Sequence, residues 1–404
     1  MPARVVILGA GFAGLFTALR AHRLLGDRAE ITLVDRNDYF LYTPMLFELV
    51  SESLQTRHVA RPLSRLVPSG VRCARAEVGG IDLAARRVQT GGGPLSYDLL
   101  VIALGSVPNF YGMESIERHA LRFKWLSDVQ RLQEHIKSRV AGAGGDRERA
   151  ADAARVVIAG AGCTGVELIA ELDDWMAGPL MRWAKHTAAV PNLVLVEALD
   201  HLLCPTDMRL TKATLRDLAR RKIDVRLAYR VVDAGPDWVK TRAPSGDEQR
   251  IDAGTLVWTA GVKAAPALAS LPVTFGPGAR LPVTPTLQLS GHPEVLVLGD
   301  AAACPDGAGG LLPATAQVAV QQAAAAAKTL RALVDGAQPE PFRYRRMGEV
   351  VSLGRMKAVA EAFGLRFQGF PGWLVTRSVH LSRLPDWGDR VAVAWESVKD
   401  VLKR

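Results

Sequence analysis

The chain has 404 residues, 49% of them hydrophobic and 23% charged; this is ordinary composition for a globular protein of two or three domains and excludes disorder as its main state. Its formal charge of +9, from 50 Lys and Arg against 41 Asp and Glu, permits contact with an anionic surface without requiring one. Four cysteines, Cys73, Cys163, Cys204 and Cys304, stand far apart with no CxxC pair, which excludes a zinc ribbon, an adjacent redox dithiol and a disulfide scaffold and favours a reducing compartment.

Val5-Val6-Ile7-Leu8 predicts a first strand; it follows Met1 too directly, and is broken by glycines too soon, for a signal peptide. Gly9-Ala10-Gly11-Phe12-Ala13-Gly14 then reads as GxGxxG opening a helix, and Ile31-Thr32-Leu33-Val34 as a second strand ending at Asp35, with Arg36 beside it. The small and charged segment 141–153 reads as a linker. After it the pattern repeats, 151 residues on: Val156-Val157-Ile158-Ala159, then Gly160-Ala161-Gly162-Cys163-Thr164-Gly165, then Leu193-Val194-Leu195-Val196 ending at Glu197. Glu197 lies 37 residues after Gly160 where Asp35 lies 26 after Gly9, so Pro179 to Pro191 reads as an insertion between helix and strand.

Arg209 to Lys222 predicts a surface helix and Asp224 to Leu227 a strand. Leu256-Val257-Trp258-Thr259-Ala260 predicts a buried strand ending at Gly261, and Val295-Leu296-Val297-Leu298 another ending at Gly299-Asp300. Pro313 is expected to open an alanine-rich helix reaching Val334. The longest uncharged stretch, Gly307 to Ala327, holds Pro313, Gln317, Gln321 and Gln322 and is too polar to span a membrane.

The repeated pattern is the dinucleotide fingerprint with its context intact. The first glycine makes the turn, the second lets backbone approach a pyrophosphate, and the third packs helix on strand. The helix N-terminus offers oriented N–H groups to phosphate, and the acid accepts from ribose hydroxyls. One GxGxxG is weak, because tight turns use glycine anyway; two complete copies are specific. The fold class is therefore α/β, with two Rossmann-like domains, one nested in the other.

Two such domains resemble the two-dinucleotide-binding flavoproteins of the pyridine nucleotide-disulfide oxidoreductase superfamily, and the resemblance covers essentially the whole chain. It implies FAD, bound non-covalently, at the first turn, and NADH as substrate at the second. Tyr97-Asp98-Leu99-Leu100-Val101-Ile102-Ala103-Leu104-Gly105-Ser106 resembles the superfamily's crossover ending in ATG, with Leu104 in place of the usual Thr. Trp258-Thr259-Ala260-Gly261-Val262 resembles the return crossover, and Gly299-Asp300-Ala301-Ala302 the GD motif whose Asp binds the ribityl hydroxyls. Within the superfamily the chain is similar to type II NADH dehydrogenases, which are single-chain NADH:quinone oxidoreductases that do not pump protons. Thr43-Pro44-Met45-Leu46-Phe47-Glu48-Leu49-Val50 resembles that family's segment beside the flavin, and Ala316-Gln317-Val318-Ala319-Val320-Gln321 its AQxAxQ helix at the quinone site.

The resemblance implies that Gly9, Gly11, Phe12, Ala13, Gly14, Asp35, Arg36, Thr43, Pro44, Ala103, Gly105, Gly299, Asp300 and Gln317 surround FAD. Gly160, Gly162, Gly165, Glu197 and Gly261 would surround NADH, and Glu167, Gln317 and Gln321 would serve the reaction. Each has a plainer reading. Asp300 could cap the next segment, Gln317 and Gln321 share one helix face as i and i+4, and Glu167 suits a helix N-terminal dipole. Met45, Leu46 and Phe47 read as core. A sulfide:quinone oxidoreductase reading rests on Cys163, and a flavin-bound sensor or scaffold on the basic charge; Lys/Arg runs are too short for nucleic acid.

The domains are expected at 1–122 with 278–340 for FAD, 150–277 for NADH, and 341–404 as a membrane-associated segment. Residues 340–404 carry 12 Lys/Arg against 7 Asp/Glu, with Trp373, Trp387 and Trp395. Trp373, Leu374, Leu381 and Leu384 fall near one helical side interrupted by Arg377, and Val391, Ala394, Trp395, Val398 and Leu402 form a cleaner stripe. Arg390, Lys399, Lys403 and Arg404 lie off it, as in helices that rest in a bilayer interface. A membrane quinone, an anionic lipid surface and a peripheral place on the cytoplasmic face of the cell membrane follow as expectations; a homodimer is left open, and no metal is expected.

Overall fold

The structure, a computed structural model, describes residues 1–142, 147–183, 192–202, 207–384 and 387–402. Residues 143–146 of the expected linker, 184–191 of the expected insertion, Cys204, Lys403 and Arg404 lie outside the described residues, as do the side chains of Trp387, Val398, Lys399 and Leu402. The chain divides into two compact units: residues 1–41, 60–107 and 262–346 form the first, and 42–59, 108–261 and 347–404 the second. The chain passes from one unit to the other at 41/42, 59/60, 107/108, 261/262 and 346/347, so that Pro108 to Gly261 belongs to the second unit. The cause is local: Leu121–Arg122 is already a strand of the second unit's sheet, parallel to Thr255–Trp258, and Asn109 N donates to Gly261 O at 3.0 Å.

The first unit is built on a six-stranded sheet in the order Gln288–Leu289, His292–Val297, Leu99–Ile102, Ala3–Leu8, Ala29–Asp35, Val71–Arg75. All neighbours are parallel except the first pair. Val5 registers with Ile31 on one side and Leu99 on the other, and Val5, Ile7 and Leu8 are fully buried. This explains the unbroken apolar run: a strand covered on both faces needs no polar alternation. The helix Phe12–Leu25 packs against Ala316–Val334, and both helices bury small residues, Ala18 and Ala21 in the first and Ala323, Ala326 and Ala327 in the second. That second helix begins later than Pro313 implies, because Thr315 caps it and accepts from Val318 N through its hydroxyl.

The second unit contains a five-stranded parallel sheet in the order Leu121–Arg122, Thr255–Trp258, Arg155–Ala159, Asn192–Val196, Asp224–Arg226. An antiparallel sheet of Arg230–Gly235, Trp238–Arg242 and Glu248–Asp252 adjoins it in the chain. The C-terminal segment holds more than two amphipathic helices: Gly348–Ser352, Ala358–Ala362 and Leu365–Gln368 form a three-stranded antiparallel sheet that the sequence reading missed. The helix Gly369–Arg383 packs on this sheet, and Trp387–Leu402 follows. Arg221 fastens the sheet to the rest of its unit. Its guanidinium reaches Asp173 (2.7 Å), Asp174 (2.8 Å), Asp217 (3.0 Å) and the Leu353 carbonyl (2.6 Å), using the fork geometry that lysine lacks. No helix among the described residues is long and apolar enough to cross a membrane.

Candidate functional site

Each unit carries one glycine turn at the C-terminal end of its central strand, and the two are built alike. In the first, Gly9 has φ +96°, and a Cβ on Gly14 would collide with the Gly9 carbonyl; in the second, Gly160 has φ +103° and Gly165 stands in the same relation to it. These positions need glycine for backbone conformation and for close helix–strand approach. Gly11 and Gly162, by contrast, have open space where a Cβ would stand, at the first turn of the helices Phe12–Leu25 and Cys163–Trp175. Each turn is therefore an open cradle of backbone N–H groups suited to a pyrophosphate.

The acids close the cradles. Asp35 Oδ2 accepts from Ala10 N at 2.7 Å while its other oxygen accepts from Asn37 N at 2.8 Å. Glu197 Oε2 accepts from Ala161 N at 2.6 Å, and its Oε1 accepts from Leu199 N at 2.9 Å. Despite the longer spacing of the second copy, the carboxylate comes back to the same place. Arg36 is exposed beside Asp35, and Phe12 is buried, its ring edge-on to Phe40 at 5.1 Å, so Phe12 offers its backbone rather than its ring to the turn. Ala103 supplies the carbonyl that crowds Gly9, and Gly105 has φ +69°.

Asp300 joins this first site. Its Oδ2 accepts from Ser106 Oγ at 2.6 Å, and Gly299, at φ +66°, donates its N–H to Gln322 Oε1 at 2.7 Å. Gln322 is 1% exposed and was overlooked beside its neighbour Gln321; its burial is what the sequence concealed. The two glutamines that were singled out face a different segment. Gln317 Oε1 accepts from Tyr344 OH at 2.5 Å, and Gln321 exchanges two bonds with the Arg345 backbone, at 2.9 and 3.0 Å. The amide of Gln321 is thus a clamp on the 341–346 segment. A flavin dinucleotide fits the first unit: an open glycine turn, a carboxylate bonded to that turn and a second carboxylate at a strand end are all present.

The second unit gathers buried carboxyls around the helix Cys163–Trp175. Glu167, 8% exposed, accepts from Ser352 N at 3.2 Å, and burial pushes its carboxyl well above the usual range despite that bond. Glu171, 4% exposed, is raised the same way by burial and by Glu48, with the Ser51 hydroxyl opposing. Glu48 lies in the short helix Thr43–Leu49, which packs against this helix; Thr43 and Pro44 open it, and Met45, Leu46 and Phe47 are core as expected. Arg377 holds Glu48 through two bonds. It is turned inward and does not interrupt an exposed face. Cys163 donates its thiol to Glu349 Oε1 at 3.4 Å, and burial with the facing carboxyls of Glu167 and Glu349 raises its pKa. Sequence reasoning singled out Glu167, named Glu48 only within the segment beside the flavin and Arg377 only as a break in an apolar face, and missed Glu171; the partners that join them lie far away in the chain.

Gly261, at φ +134°, sits at the return crossover with Tyr111 directly against it, and Gly160 faces Ala260 so closely that a Cβ would lie 2.7 Å from its Cα.

The profile of the pyridine nucleotide-disulphide oxidoreductase family matches residues 3–323. A type II NADH:quinone oxidoreductase of Staphylococcus aureus is 30% identical over 369 residues, covering 91% of each chain. A demethylphylloquinone reductase of Synechocystis sp. is 31% identical over 404 residues, covering 96% of this chain and 94% of the relative. Among solved structures, NDH2 of Plasmodium falciparum in complex with NADH superposes with a TM-score of 0.88 at 17% identity, covering 100% of this chain and 99% of the other. The sulfide:quinone oxidoreductase of Aquifex aeolicus reaches 0.78 at 19% identity, with 96% and 91% covered. At these identities the structural likenesses speak for the fold alone, which is α/β as expected. The duplicated glycine turns, the family profile and the full-length relatives agree: the chain belongs to the pyridine nucleotide-disulphide oxidoreductase family, and within it to the type II NADH:quinone oxidoreductases.

Proposed function

We infer that this chain carries out NADH:quinone oxidoreduction with FAD as resident cofactor, at the face of a membrane and without moving protons across it. The observation that supports this best is the pair of equivalent cradles, each with a carboxylate bonded to the backbone N–H after its first glycine. The first unit is the FAD-binding half, held through Gly9, Gly11, Gly14, Asp35, Gly299 and Asp300. The second is the NADH-binding half, held through Gly160, Gly162, Gly165 and Glu197. When bound, flavin supplies two-electron chemistry with hydride donors and the capacity to pass electrons to a quinone. The chain's own residues bind, orient and protonate. Glu197 selects the adenosine ribose, burial holds the carboxyl of Glu167 well above the usual range and so favours its protonated form, and the family resemblance carries Gln317, whose amide oxygen accepts from Tyr344 OH, to the quinone side.

For the membrane, several apolar side chains of the C-terminal segment stand exposed: Phe363, Leu365, Phe370, Leu374, Val391 and Trp395. Their amphipathic setting favours an anionic bilayer surface, where a lipid-soluble quinone is found. The sulfide reading is weaker, because reactive cysteines are low-pKa thiols and that of Cys163 is raised.

The test is anaerobic addition of NADH to purified protein, followed by a soluble quinone. NADH should bleach the bound flavin and quinone should restore its colour, with many turnovers in steady state. Bleaching by sulfide but not by NADH would favour the alternative enzyme, and protein that folds without taking up FAD would overturn both.

A further inference from the structure

The loop Asn109–Gly112 is tied to the return crossover by a dense set of bonds. Asn109 N donates to Gly261 O at 3.0 Å, and Trp258 Nε1 donates to Asn109 O at 2.8 Å. Within the loop, Tyr111 N donates to Asn109 Oδ1 at 3.0 Å, and the Tyr111 hydroxyl reaches across to donate to Ala260 O at 3.2 Å. The bonds hold Tyr111 at φ +53°, a conformation that bulky residues avoid and that Asn or Gly would adopt more cheaply. Yet the residue stays 62% exposed, with its hydroxyl end set against Ala260 and Gly261, while its neighbour Phe110 is buried against Trp258. An aromatic side chain kept in strained backbone and left facing solvent calls for an explanation outside folding. Gly261 completes the arrangement, since a Cβ there would collide with the Tyr111 hydroxyl.

Strand order places this loop relative to the second glycine turn. The second glycine turn follows Arg155–Ala159, which is flanked by Asn192–Val196 on one side and Thr255–Trp258 on the other. A dinucleotide with its pyrophosphate on that turn lies across the strand ends. Glu197, at the end of Asn192–Val196, takes the adenosine ribose. The other half of the ligand then extends the opposite way, past the end of Thr255–Trp258, where Ala260, Gly261 and Tyr111 lie.

We propose that Tyr111 is a positioning residue for the nicotinamide half of NADH, its ring forming a wall for the nicotinamide riboside and its hydroxyl anchored on Ala260. The proposal rests on the reading of the second turn as the NADH site.

The experiment compares NAD⁺ with ADP-ribose, which lacks the nicotinamide, by calorimetric titration of the FAD-loaded protein. Tyr111→Ala should weaken NAD⁺ roughly fivefold to tenfold, the scale of one lost aromatic contact, and leave ADP-ribose within about twofold. Tyr111→Phe keeps the ring and should retain most of the NAD⁺ affinity. In turnover, Tyr111→Ala should raise KM for NADH more than it lowers kcat. Equal weakening of both ligands would mark a general folding role, and unchanged NAD⁺ binding would remove the wall; either overturns the proposal. Failure of the unmodified protein to bind ADP-ribose would instead overturn the reading of the second turn, and the proposal with it.

Discussion

Arg377 grips the Glu48 carboxylate with both terminal nitrogens, at 3.1 and 2.8 Å, although 329 residues separate them. The pair is nearly buried, at 14% and 6% side-chain exposure, and stands near two further buried carboxyls, Glu167 and Glu171. Removing the cation alone would strand a negative charge. Arg377→Met should therefore destabilise the protein by about 3–5 kcal/mol, and the double variant Glu48→Gln with Arg377→Met by distinctly less. Chemical denaturation of the unmodified protein and both variants checks this; equal losses in single and double variants would contradict it. Deletion of the chain after Gly369 removes Arg377 too, so such a truncation perturbs the core and cannot isolate membrane binding.

Membrane association is better tested on the surface. Val391 and Trp395, 68% and 59% exposed, lie one helical turn apart. Changing both to Glu should abolish co-sedimentation with anionic vesicles at fixed salt while leaving FAD content unchanged. Each loses apolar contact and adds repulsion from the leaflet. Undiminished sedimentation would put the docking surface elsewhere.

Glu197 predicts donor choice. Its two oxygens are already fixed by Ala161 N and Leu199 N, so the carboxylate cannot swing away from a ribose 2′-phosphate. NADH should be preferred over NADPH, and Glu197→Ala should narrow the ratio of kcat/KM by roughly tenfold or more, chiefly by losing NADH. Equal use of both donors by the unmodified protein would refute it.

A fourth prediction concerns pH. Burial raises the Glu171 carboxyl above its unfolded value, so over an interval starting near the ordinary Glu pKa of about 4.3 the folded state holds a proton that the unfolded state has released. The folded state binds more protons there, and stability falls as pH rises through the interval. Glu171→Gln removes this term. Its melting temperature should match the unmodified protein below pH 4 and exceed it increasingly toward neutral pH. A constant offset between the two curves would show that Glu171 does not titrate in this way.

The dinucleotide cradles were legible in the sequence because local backbone demands them. Gly9 and Gly160 need positive φ, Gly14 and Gly165 need the absence of a Cβ, and both needs write glycine at fixed offsets. Asp300 was picked out differently, through the resemblance of Gly299-Asp300 to the superfamily's GD motif; the positive φ of Gly299 accounts for the glycine there. Gln322 was not: three glutamines in six residues look alike until helix packing decides which is buried. Nor was the sheet from Gly348 to Gln368, whose short strands mix alanine, valine and charged residues without clean alternation. Tyr111 gave no signal because its strain exists only once Asn109, Ala260 and Gly261 have met.

The threading of the chain has a consequence for synthesis on the ribosome. The second unit's five-stranded sheet lies wholly within residues 108–261, so all its strands have emerged before the first unit is complete. The first unit must wait for His292–Val297 to pair with Leu99–Ile102, whose residues are at most 9% exposed in the finished protein. For nearly two hundred residues of elongation, about 10–40 seconds at ordinary rates, that strand waits as an open apolar edge, the kind of unpaired strand that exposes an incomplete sheet to pairing with a neighbour.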